Sequence, residues 1–296
     1  MTADGSPQWL DALTDLYHLC IYTVDAPADP NSVHLQVPAN RGHEAMVYLT
    51  FLIDNYEHLP EAMLFVHGTR WSWHNDASDY DNVPLLKALN ISAALAHGGY
   101  HNLRCDWSAS TCPLETPAQG SFETRSQAVL APWDLRAVSD AALPRALAGV
   151  FGGGEDQGRF LLGQSDALRS QCCAQFVVSR ANVWQHTRGE FVALRQWLLD
   201  GSSENKHSSS NAAPSDDRVA GRILSYMWHI LFLNQVDPVG INLEQLNSQA
   251  CPRADECYCR LYGRCNLEHC SPGSCYGEYR LPSDYKLPDD WAATHS

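Results

Sequence analysis

Apolar and polar positions alternate along the chain in a way that predicts strands and helices in turn. Residues 19–24 and 63–68 are short apolar runs close to Asp, Pro or Gly, a pattern typical of buried strands. Between them, the apolar residues that recur on one helical face are Ala45, Leu49, Leu52 and Tyr56. The pattern therefore predicts a strand, a helix over 40–57 and a second strand, joined as a right-handed βαβ unit.

The second half of the chain continues this alternation less regularly. Residues 174–178 predict a third strand, 182–199 a helix, and 219–233 the most apolar helix. Residues 201–217 are polar and rich in serine, which predicts a mobile loop. The glycines at 152–154 predict a flexible turn rather than a phosphate-binding loop, because no clear strand precedes them and no GK[ST] follows.

Length and composition place these elements in one α/β domain. The chain has 296 residues, 45% of them hydrophobic, and we assign 1–250 to the domain and 251–296 to a cysteine-rich extension packed on it. The formal net charge of −14 repels phosphate groups and anionic lipids, so we expect neither nucleic acid nor membrane as a partner. The N-terminus lacks the basic and apolar pattern of a signal, which favours a cytoplasmic location.

Eleven cysteines complicate the cytoplasmic expectation. Those near the C-terminus are Cys251, Cys257, Cys259, Cys265, Cys270 and Cys275. Their density and irregular spacing favour disulfides over free thiols, and over a zinc site that would include His269, although the cytosol keeps thiols reduced. For the adjacent Cys172 and Cys173 we expect two thiols, because a bridge between neighbours closes a strained ring.

The stretch 67–76 carries the densest group of candidate functional side chains. It begins where a predicted parallel strand ends, and open α/β sheets place their ligand crevices at such ends. Its polar and aromatic residues include His67, Arg70, Trp71, Trp73, His74 and Asp76. They suit the wall of a ligand pocket, while the alternative is that the tryptophans pack in the core or at its rim and His74 is a satisfied loop residue.

Further candidates lie outside this stretch. Arg104 can clamp a carboxylate or phosphate, or equally pair with a carboxylate of its own loop. His229 lies on the most apolar predicted helix, where a hydrogen-bonded core histidine is the more frequent case. The candidate catalytic residues are His67, His74, Asp76 and Arg104. The candidate substrate contacts are Arg41, Trp71, Trp73, Tyr100, Gln175, Trp228 and His229.

Motifs for metals and for common enzyme classes are weak or missing. Asp79 and Asp81 match the D-x-D pattern that holds a divalent metal beside a sugar-nucleotide phosphate, but such short matches are frequent by chance. No G-x-S-x-G, Rossmann glycine or H-E-x-x-H pattern is present. We therefore expect no metal and no cofactor.

Several motifs resemble those of a fungal family of domains of unknown function. The matching elements include residues 40–45 (NRGHEA), 48–56 (YLTFLIDNY), 65–67 (FVH), 73–76 (WHND), 102–105 (NLRC), 172–176 (CCAQF), 228–230 (WHI) and 256–259 (ECYC). The resemblance implies a glycosyltransferase-A-like three-layer sandwich with a mainly parallel sheet, and members occur among fungal secondary-metabolite genes. The chain departs from the family pattern in lacking an N-terminal anchor and in carrying the polar insert at 201–217 and a longer tail.

Two functions fit these features best. A nucleotide-sugar transferase needs a D-x-D or basic residues at the strand end, where the chain has His67 and Gly68 with only Arg70 nearby. A cofactor-free cyclase needs a pocket that holds an apolar substrate in a reactive conformer and places hydrogen-bond donors at a carbonyl. We therefore expect a cyclase of the pericyclase or Diels–Alderase type in fungal secondary metabolism, with a glycosyltransferase or a non-catalytic binding protein as alternatives.

Overall fold

The computed structural model describes residues 5–25, 29, 31–151, 162–202, 212–233 and 242–278. Its strands are β1 (Tyr22–Thr23), β2 (Leu35–Gln36), β3 (Ala62–Phe65), β4 (Tyr100–Asn102), β5 (Phe176–Ser179), β6 (Cys270–Ser271) and β7 (Ser274–Cys275). Its α-helices are α1 (Glu44–Asp54), α2 (Asn82–Ala88), α3 (Ile91–Leu95), α4 (Phe122–Leu130), α5 (Leu135–Phe151), α6 (Arg180–Val183), α7 (Arg188–Asp200), α8 (Asp217–Ser225), α9 (Trp228–Phe232), α10 (Leu243–Ala250) and α11 (Ala254–Tyr262). Two 3-10 helices span Gln8–Leu13 and Tyr56–His58.

The largest sheet among the described residues has three strands in the order β3–β5–β4, and both pairings are antiparallel. Phe176 of the central strand β5 pairs with Phe65 on one side and Asn102 on the other. The fully buried residues of this strand are Phe176, Val177 and Val178. The prediction of a mainly parallel sheet is therefore wrong, because a strand covered on both faces shows the same unbroken apolar run in either direction.

The strand near the N-terminus belongs to a different sheet from β3. β1 has two residues and pairs in parallel with β2, where Tyr22 lies opposite Leu35. The predicted βαβ unit is therefore wrong, although a strand, a helix and a strand do follow one another along the chain. A local apolar pattern locates a strand, but it does not specify the partner of that strand.

Helix α1 and the sheet enclose an aromatic core. Ala45, Leu49 and Leu52 of α1 are buried on one face, as predicted. The aromatic rings of the core come from residues that include Tyr48, Phe65, Phe176, Trp228 and Phe232. α1 packs on α7 and α8, and α5 packs on α4 and α8, so helices cover this core.

The two later helices predicted from the sequence are each divided in the structure. Within 182–199, Thr187 starts a new helix, because its side chain and that of Glu190 form a capping box at the start of α7. Within 219–233, a turn at Tyr226 and Met227 separates α8 from α9, and Asp216 caps the start of α8.

Disulfides involve all six cysteines between residues 251 and 275. Cys257 is bonded to Cys105, and Cys251 is bonded to Cys112. The other four form the pairs Cys259–Cys265 and Cys270–Cys275. The prediction that these six cysteines form disulfides is confirmed.

Cys172 and Cys173 are also bonded to each other, so the expectation of two thiols is wrong. A bridge between neighbours needs an unusual backbone, and the chain provides one directly before β5. Cys173 and Ala174 have φ values of 83° and 48°, a region that residues other than glycine rarely adopt.

Some predictions fall wholly or partly outside the described residues. They are the turn at 152–154, most of the loop 201–217 and the extension beyond residue 278. Where the chain is described, no helix is both long and apolar enough to cross a bilayer.

Candidate functional site

The histidine loop, residues 67–81, connects β3 with α2 and carries most of the candidate residues. Asn75 is buried and holds the loop together, because its Nδ2 donates to two main-chain carbonyls of the loop at 2.6 and 2.8 Å. Gln175, directly before β5, donates from Nε2 to Oδ1 of Asn75 at 3.1 Å. Its Oε1 accepts from the backbone N–H of His67 at 3.2 Å. Gln175 therefore fixes the loop to the central strand.

Asp76 is a buried carboxylate that anchors the loop to two other segments. Its Oδ2 accepts from the backbone N–H groups of Cys105 at 2.6 Å and Asp106 at 3.3 Å, and its Oδ1 accepts from the Tyr258 hydroxyl at 2.9 Å. Burial raises the pKa of Asp76, while the charge of Arg104 and these hydrogen bonds oppose the rise. The contacts make Asp76 an interior anchor between the loop and α11.

Arg104 is 2% exposed, and its guanidinium group binds main-chain and side-chain oxygens inside the protein. Nη1 donates to the carbonyls of Trp73 at 3.1 Å and His74 at 3.4 Å. Nε donates to the carbonyl of Asp106 at 3.1 Å, and Nη2 donates to Oγ of Ser108 at 3.1 Å. Arg104 thereby positions the backbone that carries Trp73 and His74.

His67 and His74 form a stacked pair, with ring centroids 4.5 Å apart and ring planes within 5°. Nε2 of His67 lies 2.6 Å from the carbonyl oxygen of Cys173. Because a carbonyl can only accept, this nitrogen carries the proton of His67. Nδ1 of His74 lies 2.7 Å from Oγ of Ser72. Both rings are therefore held by a partner on one side.

The His74 imidazole is neutral at physiological pH. Burial is the largest cause that lowers its pKa to about 3, and the nearby His67, Arg104 and His43 lower it further. A neutral imidazole donates from one ring nitrogen and accepts at the other. Such a group can polarise a carbonyl without first having to lose a charge.

The sequence analysis gave no role to His43, which lies near the stacked pair. His43 directly precedes α1 with a φ of 53°, a conformation that is unusual for a residue other than glycine. Its ring lies against Gly221, where an added Cβ would come within 2.4 Å of Cδ2 of His43. One sequence signal was available, since a histidine stands where Ser, Thr, Asp or Asn usually precedes a helix.

Arg41 is buried and positions a carboxylate next to His43. Its Nη1 donates to Oδ1 of Asp217 at 2.9 Å, and the backbone N–H of Gly42 donates to the same oxygen at 2.6 Å. Oδ2 of Asp217 lies 3.9 Å from Nε2 of His43. Arg41 also donates to the Leu198 carbonyl at 3.2 Å, so its contacts are with the protein itself.

The two tryptophans of the loop have different surroundings. Trp73 is 51% exposed, and its ring centroid lies 4.1 Å from that of His74. The Arg70 guanidinium covers Trp71 at 4.2 Å from the ring centroid. Trp73 therefore offers an exposed aromatic surface beside the histidine pair.

The D-x-D carboxylates serve the structure of the loop. Asp81 forms a two-pronged ion pair with Arg70 at 2.9 and 2.7 Å and caps α2 by accepting from the N–H of Val83 at 3.0 Å. Asp79 accepts from the backbone N–H of Asp81 at 3.1 Å. In the described ranges, no three His, Cys, Asp or Glu side chains are grouped so that they could hold a metal ion.

Tyr100, Trp228 and His229 lie in the core, and the structure does not bring them to the surface of the histidine loop. The ring centroids of Tyr100 and Trp228 lie 5.2 and 5.5 Å from that of Phe176. Among the described residues, none forms a hydrogen bond with Nε2 of His229. Burial lowers the pKa of His229 to about 3.

The Cys172–Cys173 disulfide lies between the ends of two sheet strands. The Cys172 carbonyl accepts from Nδ2 of Asn102, at the end of β4, at 3.3 Å. The Cys173 carbonyl accepts from His67, which follows β3. The conformation of this bonded pair therefore determines where the His67 ring lies.

Two cavities in the described part of the chain lie away from the histidine loop. One, of about 340 Å³, is lined by residues that include Trp107, Ser110 and Arg136. The other, of about 160 Å³, is lined by residues that include Phe191 and Trp197. Neither is lined by a residue of the histidine loop, so the candidate site around Trp73 is not one of these two cavities.

The fold and its loops define a disulfide-cross-linked protein of mixed helices and small sheets. The chain belongs to the family described as "Protein of unknown function (DUF3431)", whose model matches residues 1–260. No curated protein and no solved structure shows significant similarity to the chain.

Proposed function

We propose that the protein is a cofactor-independent cyclase of the pericyclase type and that the histidine loop is its site. The observation that carries the proposal is the stacked His67–His74 pair beside the half-exposed ring of Trp73. The proposed substrate is an apolar small molecule with a carbonyl group, of the kind expected in fungal secondary metabolism. Cyclisation of one such molecule redistributes its bonds and consumes no second reactant.

His74 is the hydrogen-bond donor in this proposal. The proposal takes the tautomer in which the Ser72 hydroxyl, 2.7 Å away, donates to Nδ1 of His74, and in that tautomer Nε2 on the other side of the ring carries the proton. A neutral N–H at the substrate carbonyl stabilises the negative charge that grows on the oxygen in the transition state. The low pKa of His74 supports this role, since the ring does not change its charge between about pH 5 and 8.

Trp73 and His67 orient the substrate. The exposed face of Trp73 binds the apolar body and favours the conformer in which the reacting atoms approach each other. His67 donates its Nε2–H to the Cys173 carbonyl, and in this proposal its Nδ1 serves as the acceptor that holds a substrate hydroxyl. Donor and acceptor would then lie on neighbouring parallel rings.

In this proposal Arg104, Asp76 and Gln175 are positioning residues, although the sequence suggested that they contact the substrate directly. Their polar atoms bind the loop backbone, the Asn75 side chain and the neighbouring segments. A loop fixed in this way holds its donors ready before the substrate binds, which reduces the cost of orienting them. Arg41 has a similar role toward Asp217 and His43.

The glycosyltransferase alternative has a specific observation against it. Asp81 is paired with Arg70 and caps α2, so the carboxylate that would hold a metal–diphosphate complex is already bound. The antiparallel main sheet also gives no support to a glycosyltransferase-A-like sandwich. A non-catalytic binding protein remains the second alternative.

We also propose that the protein works in an oxidising compartment rather than in the cytoplasm. The five disulfides support this, because glutathione and thioredoxin keep cytosolic cysteines reduced. Blocking free thiols in protein taken directly from its native source would test it, and ten reactive thiols in addition to Cys20 would overturn it.

The test of the activity uses the mass of the product. Purified protein is incubated with linear carbonyl-bearing polyenes, and products are separated by liquid chromatography with mass detection. We expect a product of unchanged mass and new retention time, formed equally in EDTA, and lost in His74→Ala but not in the control His58→Ala, a change at an exposed histidine. Transfer of a hexose that requires manganese would establish the glycosyltransferase, and binding of the polyene without any product would establish the binding protein.

A further inference from the structure

Large apolar side chains with high exposure are concentrated in one stretch of the chain, since four of the five described next lie between residues 122 and 133. Those that are 77–81% exposed are Leu114, Phe122, Val129, Leu130 and Trp133, which we call the apolar patch. Among the other large apolar side chains described, only Val33 is exposed to this degree. Single exposed apolar residues are normal, but a concentration of this kind marks an interaction surface.

The helix α4 presents its apolar face to solvent. Phe122 and Val129 are seven residues apart, so they share one side of the helix, and Trp133 lies in the turn that follows the end of α4. The buried residue of α4 is Thr124. An ordinary surface helix does the opposite and buries its apolar stripe against the core.

A polar groove lies close to the apolar patch along the chain. It has a volume of about 340 Å³, and the residues that line it include Ser108, Pro113, Thr116 and Arg136. Leu114 of the patch directly follows Pro113, and Trp133 of the patch lies three residues before Arg136. Two members of the patch are therefore neighbours in sequence of residues that line the groove.

Arg136 gives the groove its cation. Its Nη2 donates to the Ser110 carbonyl at 3.3 Å, and its Nε lies 3.8 Å from a carboxylate oxygen of Asp140. The side chain is 48% exposed, so part of the guanidinium group faces solvent. An arginine among serine and threonine hydroxyls suits the oxygens of a phosphate diester.

Covalent bonds keep the walls of the groove rigid. One wall belongs to the segment that contains Cys112, which is bonded to Cys251. The other wall is the hairpin that the disulfide between Cys270 and Cys275 closes. The backbone N–H of Trp107 donates to the Gly273 carbonyl at 2.8 Å and joins the two walls. A site that is already ordered loses little freedom when it binds a ligand.

We propose that the apolar patch and the polar groove form a docking surface for a membrane of zwitterionic phospholipids. Trp, Phe and Leu side chains that project from a surface enter the boundary between headgroups and acyl chains. The groove then binds a lipid phosphate through Arg136 together with the hydroxyls of Ser108 and Thr116, since those of Ser110 and Ser271 donate to main-chain carbonyls. Docking of this type needs no long apolar run, so the absence of a spanning helix among the described residues does not oppose it. The expectation from the sequence that the protein has no membrane partner rested on repulsion by anionic lipids, which a zwitterionic surface does not exert.

The charge of the protein selects among possible partners. A formal net charge of −14 repels an anionic lipid surface, and it equally repels a second copy of the same chain. A zwitterionic surface carries no net charge and meets no such repulsion. The combination of an exposed apolar patch with a polar groove that contains Arg136 therefore favours phosphatidylcholine over an anionic lipid or a second copy of the chain.

Flotation with phosphatidylcholine vesicles at physiological salt tests the docking surface. We expect the protein to float with the vesicles, and the double variant Leu130→Ser/Trp133→Ser to bind at least about tenfold more weakly. The matched control Leu16→Ser/Val33→Ser also removes two exposed apolar side chains and should bind as the unchanged protein does. Arg136→Gln should weaken binding severalfold, whereas Arg145→Gln, an exposed arginine later in α5, should not.

The remaining outcomes would overturn the proposal. Absence of flotation, or equal loss in the patch variant and its control, removes the docking surface. Sedimentation velocity without lipid covers the alternative partner, because a dimer that dissociates in Leu130→Ser/Trp133→Ser would make this surface an interface between copies. Soluble glycerophosphocholine at millimolar concentration should displace little protein, since the apolar patch contributes most of the binding; complete displacement would show a headgroup site without membrane docking.

Discussion

The chain contains the dipeptide Trp–His twice, and the two copies have opposite surroundings. Trp73 is half exposed and His74 stacks on His67, whereas Trp228 and His229 are buried in the aromatic core. The pKa of both histidines is lowered to about 3, for His229 by burial alone and for His74 by burial together with neighbouring charges. Residue type and pKa are therefore the same in both copies, and only the contacts and the exposure distinguish a candidate site from a piece of core.

The largest expected difference between the two copies concerns stability. Trp228→Ala leaves a cavity between Tyr48, Phe176 and Phe232, and we expect it to lower the free energy of unfolding by about 3–5 kcal/mol. Trp73→Ala should change it by no more than about 0.5 kcal/mol, because half of the ring is already in water. Denaturant unfolding followed by circular dichroism measures both, and equal losses would remove the distinction between the two copies.

The next difference concerns activity and follows from the proposed cyclase. His74→Ala should lower the rate about 10²- to 10³-fold, the usual effect of removing one donor from a developing oxyanion. His229→Leu should leave the rate within about twofold, since His229 lies in the core. Steady-state kinetics on the folded variants measures both rates. A larger loss of rate in His229→Leu than in His74→Ala would show that the site lies in the core.

The dependence of stability on pH sharpens the comparison further. The unfolded chain protonates His229 near its ordinary pKa of about 6.5, whereas the folded protein does so only near 3. The unfolded state therefore binds more protons between these values, and stability falls as the pH falls through that window. For His229 alone the loss should reach about 2 kcal/mol by pH 5.

Comparison of His229→Leu with the unchanged protein isolates this contribution. The variant should lose less stability between pH 7 and 5, as measured by denaturant unfolding at each pH. Parallel pH profiles for the two proteins would mean that His229 is able to accept a proton in the folded state.

The smallest expected effect is that of His229→Leu at neutral pH. Nε2 of His229 has no hydrogen-bond partner among the described residues, so its burial is a cost that an apolar side chain of similar size avoids. We expect a change between none and a gain of about 1 kcal/mol in unfolding free energy. A loss of more than about 2 kcal/mol would indicate that this nitrogen has a partner after all.

The sequence predicts local structure well where a single face is buried. The spacing of Ala45, Leu49 and Leu52 located α1 and its buried side correctly. The same reasoning placed an apolar run at β3 but could not give its direction, because the pairing of Phe65 with Phe176 depends on residues more than a hundred positions away. The mixture of helices and strands therefore followed from the pattern, while the sheet topology did not.

For the candidate site, residue type was visible and burial was not. Arg104 resembles a ligand clamp in the sequence, yet the structure surrounds it with the carbonyls of Trp73 and His74. The disulfide between Cys172 and Cys173 depends on backbone angles that no local pattern announces. Exposure and hydrogen-bond partners come from the tertiary structure. Sequence reasoning could therefore list candidate residues, but it could not separate those near the surface from those whose polar atoms are bound inside the protein.

Two disulfides give the chain the topology of nested rings. The bond between Cys112 and Cys251 closes a ring over 139 positions, and this ring lies inside the one that Cys105 and Cys257 close over 152 positions. The central strand β5 and the Trp228–His229 segment are both parts of the inner ring. A protease that cuts once between Cys112 and Cys251 therefore produces a nicked protein whose two pieces migrate together on a non-reducing gel and separate only when a thiol reductant is added.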